Sequence, residues 1–130
     1  MAIVRMARRL RQEAGTEGDL SPTLTAALAT VERDGPLAPS ALAQLEGIQR
    51  PTATRVLGRL EEAELVTRTA DHGDRRTVRV AITPAGRALL RRIRSRKNEY
   101  LARRLRGLTD DERATLAEAA ALLERLLEER

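Results

Sequence analysis

Between residues 65 and 83 the apolar side chains change their spacing. Residues 65–70 and 77–83 alternate with period two, and Val78, Val80 and Ile82 share one face with Arg79 on the other. On both sides of this stretch apolar residues recur at helical spacing. Such a chain folds as helices around a single hairpin, because no second set of strands is present to widen the sheet. The polar run Asp71-His72-Gly73-Asp74-Arg75-Arg76 lies between the two alternating segments and is expected to be a charged, six-residue tip.

The helices can be placed from their punctuation. Residues 2–14 set Ile3, Ala7, Leu10 and Ala14 on one face, and the loop 15–19 follows. Ser21-Pro22 reads as a cap followed by proline in the first turn of a second helix, with Leu24, Ala27, Leu28 and Val31 inward. Asp34-Gly35-Pro36 ends it, with Gly35 expected as a left-handed cap. Leu37 and Ala38 form a short extended piece. Ser40 is expected to cap a short third helix closed by Gly47. A fourth helix starts near Pro51, with Ala53, Val56, Leu57 and Leu60 inward. Two short helices joined by a glycine turn make a helix-turn-helix, and the hairpin after it makes a winged helix.

Thr83-Pro84 opens a long fifth helix, and the capping box Thr109-x-x-Glu112 opens a sixth lined by Leu116, Ala119, Leu123, Leu126 and Leu127. The expected fold is therefore mainly α with a small β-hairpin wing (α+β), a winged helix-turn-helix carrying N- and C-terminal dimerisation helices. Residues 1–19 and 84–130 would form the dimer part and 20–83 the DNA-binding domain. A unit near 60 residues buries only about 60% of its chain surface and is marginal alone. The amphipathic terminal helices need a partner, which a second copy with two-fold symmetry supplies.

Composition excludes several classes. Among 130 residues there is no Cys and one His, His72, which removes disulfides, thiol sensing and Cys- or His-built metal centres. Only three serines occur, Ser21, Ser40 and Ser95, and no nucleophile–base pair is visible, so the chain is not expected to be an enzyme or to need a cofactor. No apolar run is long enough to span a bilayer. Residues 1–10 lack the apolar centre of a signal peptide, and a cytoplasmic location is expected.

Of the 24 basic residues only Lys97 is a lysine; the other 23 are arginines, and the net charge is +5. A GC-rich genome raises the arginine count by itself, so placement decides. Residues 84–109 hold nine basic and one acidic side chain, and residues 110–130 hold three and seven. The basic fifth helix can pair with the acidic sixth, within one chain or between two, or can steer the protein toward DNA.

From Gln49 to Leu60 the sequence holds no acid. If the fourth helix enters the major groove, Gln49, Arg50, Thr52, Thr54 and Arg55 face base edges. Arg forks onto guanine, Gln onto adenine, and Thr meets the thymine methyl. Ser40 and Arg59 would hold phosphate and fix register. At the hairpin tip, Arg75 and Arg76 suit a narrow minor groove, with Asp74 orienting one of them. His72 beside them either touches phosphate or is a solvated turn residue. Tyr100, the one aromatic, either packs in an interface or lines an effector pocket.

Asp74-Arg75-Arg76, then Val80-x-Ile82-Thr83-Pro84-x-Gly86, resembles the wing signature of the multiple-antibiotic-resistance regulator (MarR) family. Residues 50–55 resemble the start of that family's recognition helix, and residues 60–66 its exit into the wing. The resemblance implies a homodimeric winged-helix regulator, usually a repressor on a pseudo-palindromic double-stranded operator. It also implies Arg76 in the minor groove, and DNA release on binding a small aromatic or phenolic effector. Two positions depart from the pattern: Gln49 stands where Ser is common, and Glu64 where Gly is common. The rival readings are a protein-interaction module and a nonspecific nucleoid-binding protein.

Overall fold

Ser21 and Thr83 each precede a proline that opens a helix, and each hydroxyl caps it. The Ser21 Oγ accepts from the Leu24 N–H at 3.3 Å, and the Thr83 Oγ1 accepts from the Gly86 N–H at 3.0 Å. The computed structural model describes residues 1–14, 20–71 and 74–128. In chain order these form α1 (Ala2–Ala14), α2 (Pro22–Asp34), α3 (Pro39–Glu46) and α4 (Arg50–Glu62). The hairpin β1 (Val66–Asp71) and β2 (Asp74–Ile82) follows, then α5 (Pro84–Leu105) and α6 (Asp110–Glu128).

The core sits where α2, α3, α4 and α5 meet. Leu28, Leu42, Leu60 and Leu90, one from each helix, are fully buried, and Val31 joins them. With no Phe or Trp to fill space, the interior is an aliphatic mosaic of Leu, Val, Ile and Ala. Burying one such leucine contributes about 1.5–3 kcal/mol. The first half of α5, through Leu89, Leu90 and Ile93, belongs to this same core.

Three local expectations are corrected. Gly35 is extended, not left-handed, with φ −77° and ψ 166°. What that site needs is the absence of a side chain, since a Cβ there would lie 2.4 Å from the Val31 carbonyl oxygen. Ser40 does not cap α3. Pro39, with its φ preset for helix, starts α3 one residue earlier, so Ala38 takes the cap position and Ser40 lies exposed inside the first turn. The left-handed residue that closes α3 is Gly47, at φ 66°.

The third correction concerns the hairpin tip. The strands pair from Val66↔Ile82 through Arg68↔Val80 and Ala70↔Val78, then shift register and pair Asp71 with Asp74. Only residues 72 and 73 separate the strands, where the side-chain pattern suggested six residues. Apolar alternation reports packing, whereas the ladder uses backbone groups alone and so outlasts the apolar pattern. The extended piece at Leu37 also joins the sheet. Its N–H donates to the Val80 carbonyl at 3.0 Å, and it accepts from the Val80 N–H at 2.8 Å.

α6 opens with the expected capping box. The Thr109 N–H donates to Glu112 at 2.9 Å, and the Glu112 N–H donates to the Thr109 hydroxyl at 3.2 Å. Arg113 folds back to cap the end of α5, donating to the carbonyls of Leu105 at 3.0 Å and Leu108 at 2.6 Å, and it pairs with Asp110. Beyond this anchored turn no residue of α6 is buried.

Candidate nucleic-acid interface

α4 has two faces because its apolar residues recur at three-and-four spacing. Ala53, Val56, Leu57 and Leu60 are buried against the core. Gln49, Arg50, Thr54, Arg55 and Arg59 are exposed on the outside, and Thr52 is half-buried between the faces. The Thr54 hydroxyl donates to the Arg50 carbonyl at 3.1 Å, which ties it back to its own helix.

Among the described residues, no carboxylate lies within ion-pair distance of Arg50, Arg55 or Arg59. Arg55 and Arg59 are also one helical turn apart. Like charges at that spacing destabilise a helix by about 0.2–0.5 kcal/mol. Gln49 occupies the cap position of α4 without a side-chain hydrogen bond, so the first-turn N–H groups have no side-chain acceptor. The helix dipole adds positive potential at that end. Cations with no partner among the described residues, beginning with Arg50 at the positive end of the helix, form a surface suited to phosphate and to guanine edges.

The first acid after this face in the sequence is engaged elsewhere. Glu61, at the end of α4, accepts from the Arg68 Nε at 2.8 Å, which joins the recognition-type helix to the first wing strand. Arg68 did not stand out in the sequence. The available signal was a pair of opposite charges seven residues apart across a helix-to-strand turn. That turn is fixed by Glu64 at φ 60°, a left-handed conformation held by a non-glycine residue. The Glu64 carbonyl accepts from the Thr83 hydroxyl at 2.8 Å. Gly86 packs so closely on this joint that a Cβ would lie 2.3 Å from the Leu65 carbonyl oxygen. The Pro-x-Gly pattern thus has a steric cause.

The structure brings Gln49, Arg50, Thr52, Thr54, Arg55 and Arg59 together on one helix. Ser40 is exposed at the start of α3, one element away. Asp74, Arg75 and Arg76 open β2, but their side chains lie outside the described residues, and so does His72. Among the described residues no ion pair joins α5 to α6. Arg94 of α5 instead pairs with Glu32 of α2 at 2.8 Å, and Arg96 donates to the Ala14 carbonyl at 3.2 Å. Tyr100 is half-buried between α5 and α1, with the Arg9 guanidinium 5.7 Å from its ring centre. No group of His, Asp or Glu among the described residues could hold a metal ion, and no described helix is long and apolar enough to cross a membrane.

Known proteins share this arrangement. The MarR family profile matches residues 20–78, from the start of α2 into β2. The uncharacterized HTH-type transcriptional regulator ML2140 of Mycobacterium leprae is 33% identical over 129 residues, which is 99% of this chain and 90% of that protein. A crystal structure from Pseudomonas aeruginosa, described as a transcriptional regulator, is 31% identical. It superimposes with a TM-score of 0.86 over 99% of this chain and 90% of that one. FabT of Streptococcus pneumoniae, solved in complex with DNA, shares the fold, with a TM-score of 0.75, 19% identity and coverage of 98% and 93%. The helix-turn-helix, the hairpin and these full-length matches agree: this chain belongs to the MarR family of DNA-binding transcriptional regulators.

Proposed function

We propose that this protein is a homodimeric, sequence-specific repressor. Two copies of α4 would read half-sites in successive major grooves, about 34–36 Å apart, while Arg75 and Arg76 on each wing enter the flanking minor grooves. In this reading residues 20–83 form the DNA-binding unit, and residues 1–19 and 84–130 the dimer part. The carrying observation is the outer face of α4, where Arg50, Arg55 and Arg59 have no acid partner among the described residues. The DNA held in the FabT crystal supports the same assignment by likeness of fold.

A small-molecule effector fits this reading. A crevice of about 520 Å³ lies between α1, α2 and α5, with Arg8, Arg11 and Lys97 around Ala26, Ala29 and Ile93. Cations over an aliphatic floor suit an anion with an apolar body. A ligand there would act by preferring one spacing of the two winged helices over another.

The test is a fluorescence-anisotropy titration with duplex DNA from upstream of the protein's own gene and with a scrambled duplex, at two salt concentrations. Specific binding predicts tight association with the native duplex and a steep salt dependence, about 0.9 log units per log unit of salt for each phosphate neutralised. If a selection from random duplexes also yields no preferred sequence, the reading becomes nonspecific binding.

A further inference from the structure

Gly58 stands in the middle of α4 without a cause inside the described chain. A glycine within a helix lowers the folding equilibrium about 4–5-fold relative to alanine, because its backbone is freer when unfolded. Crowding explains Gly35 and Gly86, and a left-handed turn explains Gly47. Gly58 has neither. It is helical, and a Cβ placed on it would meet no atom within 4 Å among the described residues. The fold would accept a side chain here and would be more stable with one.

Gly58 also lies at the centre of the outward face. At 3.6 residues per turn it falls on the side opposite the buried Ala53, Val56, Leu57 and Leu60. Thr54 and Arg55 flank it one turn earlier and Arg59 follows it, all three exposed. The Thr54 hydroxyl is folded back onto the Arg50 carbonyl at 3.1 Å, so it too projects little. The exposed acid Glu62 comes one turn later. The middle of this face is therefore low, with long arginines beside it.

A helix with its side chains is about 10–12 Å across, and the major groove is about 12 Å wide and about 8.5 Å deep. Such a fit leaves little margin where the helix comes nearest the groove floor. We propose that Gly58 is that nearest point: base-pair edges approach the α4 backbone itself, and the bare Cα lets the helix seat deeply enough for Arg55 to reach its base. This rests on α4 being the reading helix and deepens that reading. Gly58 becomes a determinant of specificity that needs no hydrogen bond of its own. A broken local rule of helix stability is expected where function demands it. Nonspecific binding runs on phosphate attraction and does not require a seated helix.

Two full-length variants, Gly58→Ala and Gly58→Leu, test the seating. Both new residues are good helix formers, and neither adds a charge or a hydrogen-bonding group. Urea denaturation should show the folding equilibrium of Gly58→Ala raised about 4–5-fold. The DNA readout is anisotropy on a preferred duplex, taken from upstream of the gene or from a selection of random duplexes. Affinity should fall about 10-fold for alanine and about 100-fold for leucine, the range of one lost base contact. On a scrambled duplex, affinity should stay within about 2-fold and the salt slope should be unchanged, since no charge is removed.

If both variants bind the preferred duplex like wild type while Arg55→Ala or Arg59→Ala weakens it, nothing approaches Gly58, and the proposal is overturned with the reading helix intact. If the arginine variants also bind like wild type, or wild type prefers no duplex, the reading fails and the proposal with it. Equal losses on preferred and scrambled duplexes would overturn the seating. So would a Gly58→Ala protein less stable than wild type, because the fold itself would then demand the glycine.

Discussion

The Arg68 guanidinium lies 2.8 Å from the Glu61 carboxylate, so the first wing strand is tied to the last turn of the helix whose outer face carries Arg50, Arg55 and Arg59. Arg68→Ala is expected to lower stability by less than about 1 kcal/mol, because both partners are substantially exposed. Its effect on specific DNA affinity should be larger than its effect on nonspecific affinity if the pair helps to set the angle between wing and helix. Urea denaturation and paired anisotropy titrations would measure the two. Equal losses on both duplexes would show that the ion pair does not set that angle.

Arg55→Ala and Arg59→Ala should move stability and binding in opposite directions. Each relieves the one-turn arginine repulsion and should raise helix stability by about 0.2–0.5 kcal/mol. On DNA, Arg59→Ala should weaken all sequences alike and reduce the salt slope by about 1, whereas Arg55→Ala should relax preference at one base pair by about 1–3 kcal/mol. Unchanged binding in both variants would remove α4 from the interface.

The joint between wing and α5 offers a pair of substitutions of opposite sign. Glu64→Gly removes a left-handed non-glycine residue, worth about 1–2 kcal/mol of strain, and returns about 0.5–1 kcal/mol through the looser unfolded chain. A net gain below about 1.5 kcal/mol follows, read as a higher urea midpoint. Gly86→Ala places a Cβ 2.3 Å from the Leu65 carbonyl oxygen, and a loss of about 2–3 kcal/mol is expected, at the upper end for overpacking.

Glu112 supplies a pH signature. The Thr109 backbone N–H, and then the Thr109 hydroxyl, hold its carboxyl below the ordinary carboxylate value of 4.5. A depressed folded value means that the box is fully formed above pH 4.5 and is lost as pH falls through the folded value. The exchange protection of the Thr109 amide, corrected for its intrinsic rate, should therefore fall only below about pH 4.5. In Glu112→Gln that acid transition should be absent.

Much of this was legible in the sequence for a stated reason. The buried side of α4 follows from three-and-four spacing, and the hairpin from period two, because both patterns report which side chains face the core. The tip at residues 71–76 was not legible, because backbone pairing carries no side-chain signature. Ser40 misled because a hydroxyl is a good cap only when nothing upstream starts the helix, and Pro39 does so first. The Glu61–Arg68 pair was hidden because its two residues belong to elements of different period, and only their packing brings them face to face. The clean outer face of α4 was visible from the start. That Arg50, Arg55 and Arg59 find no acid among the described residues required the surroundings of each guanidinium.

One hydroxyl group has mechanical consequences. Thr83 accepts from the Gly86 N–H, donates to the Glu64 carbonyl, and through its own N–H reaches the Leu65 carbonyl at 3.0 Å. Wing base, recognition-helix exit and the root of α5 are thus knotted at a single residue, and Arg94 braces α5 against Glu32 further along. Three elements therefore hang on one small side chain, and its loss would slacken their mutual alignment all at once.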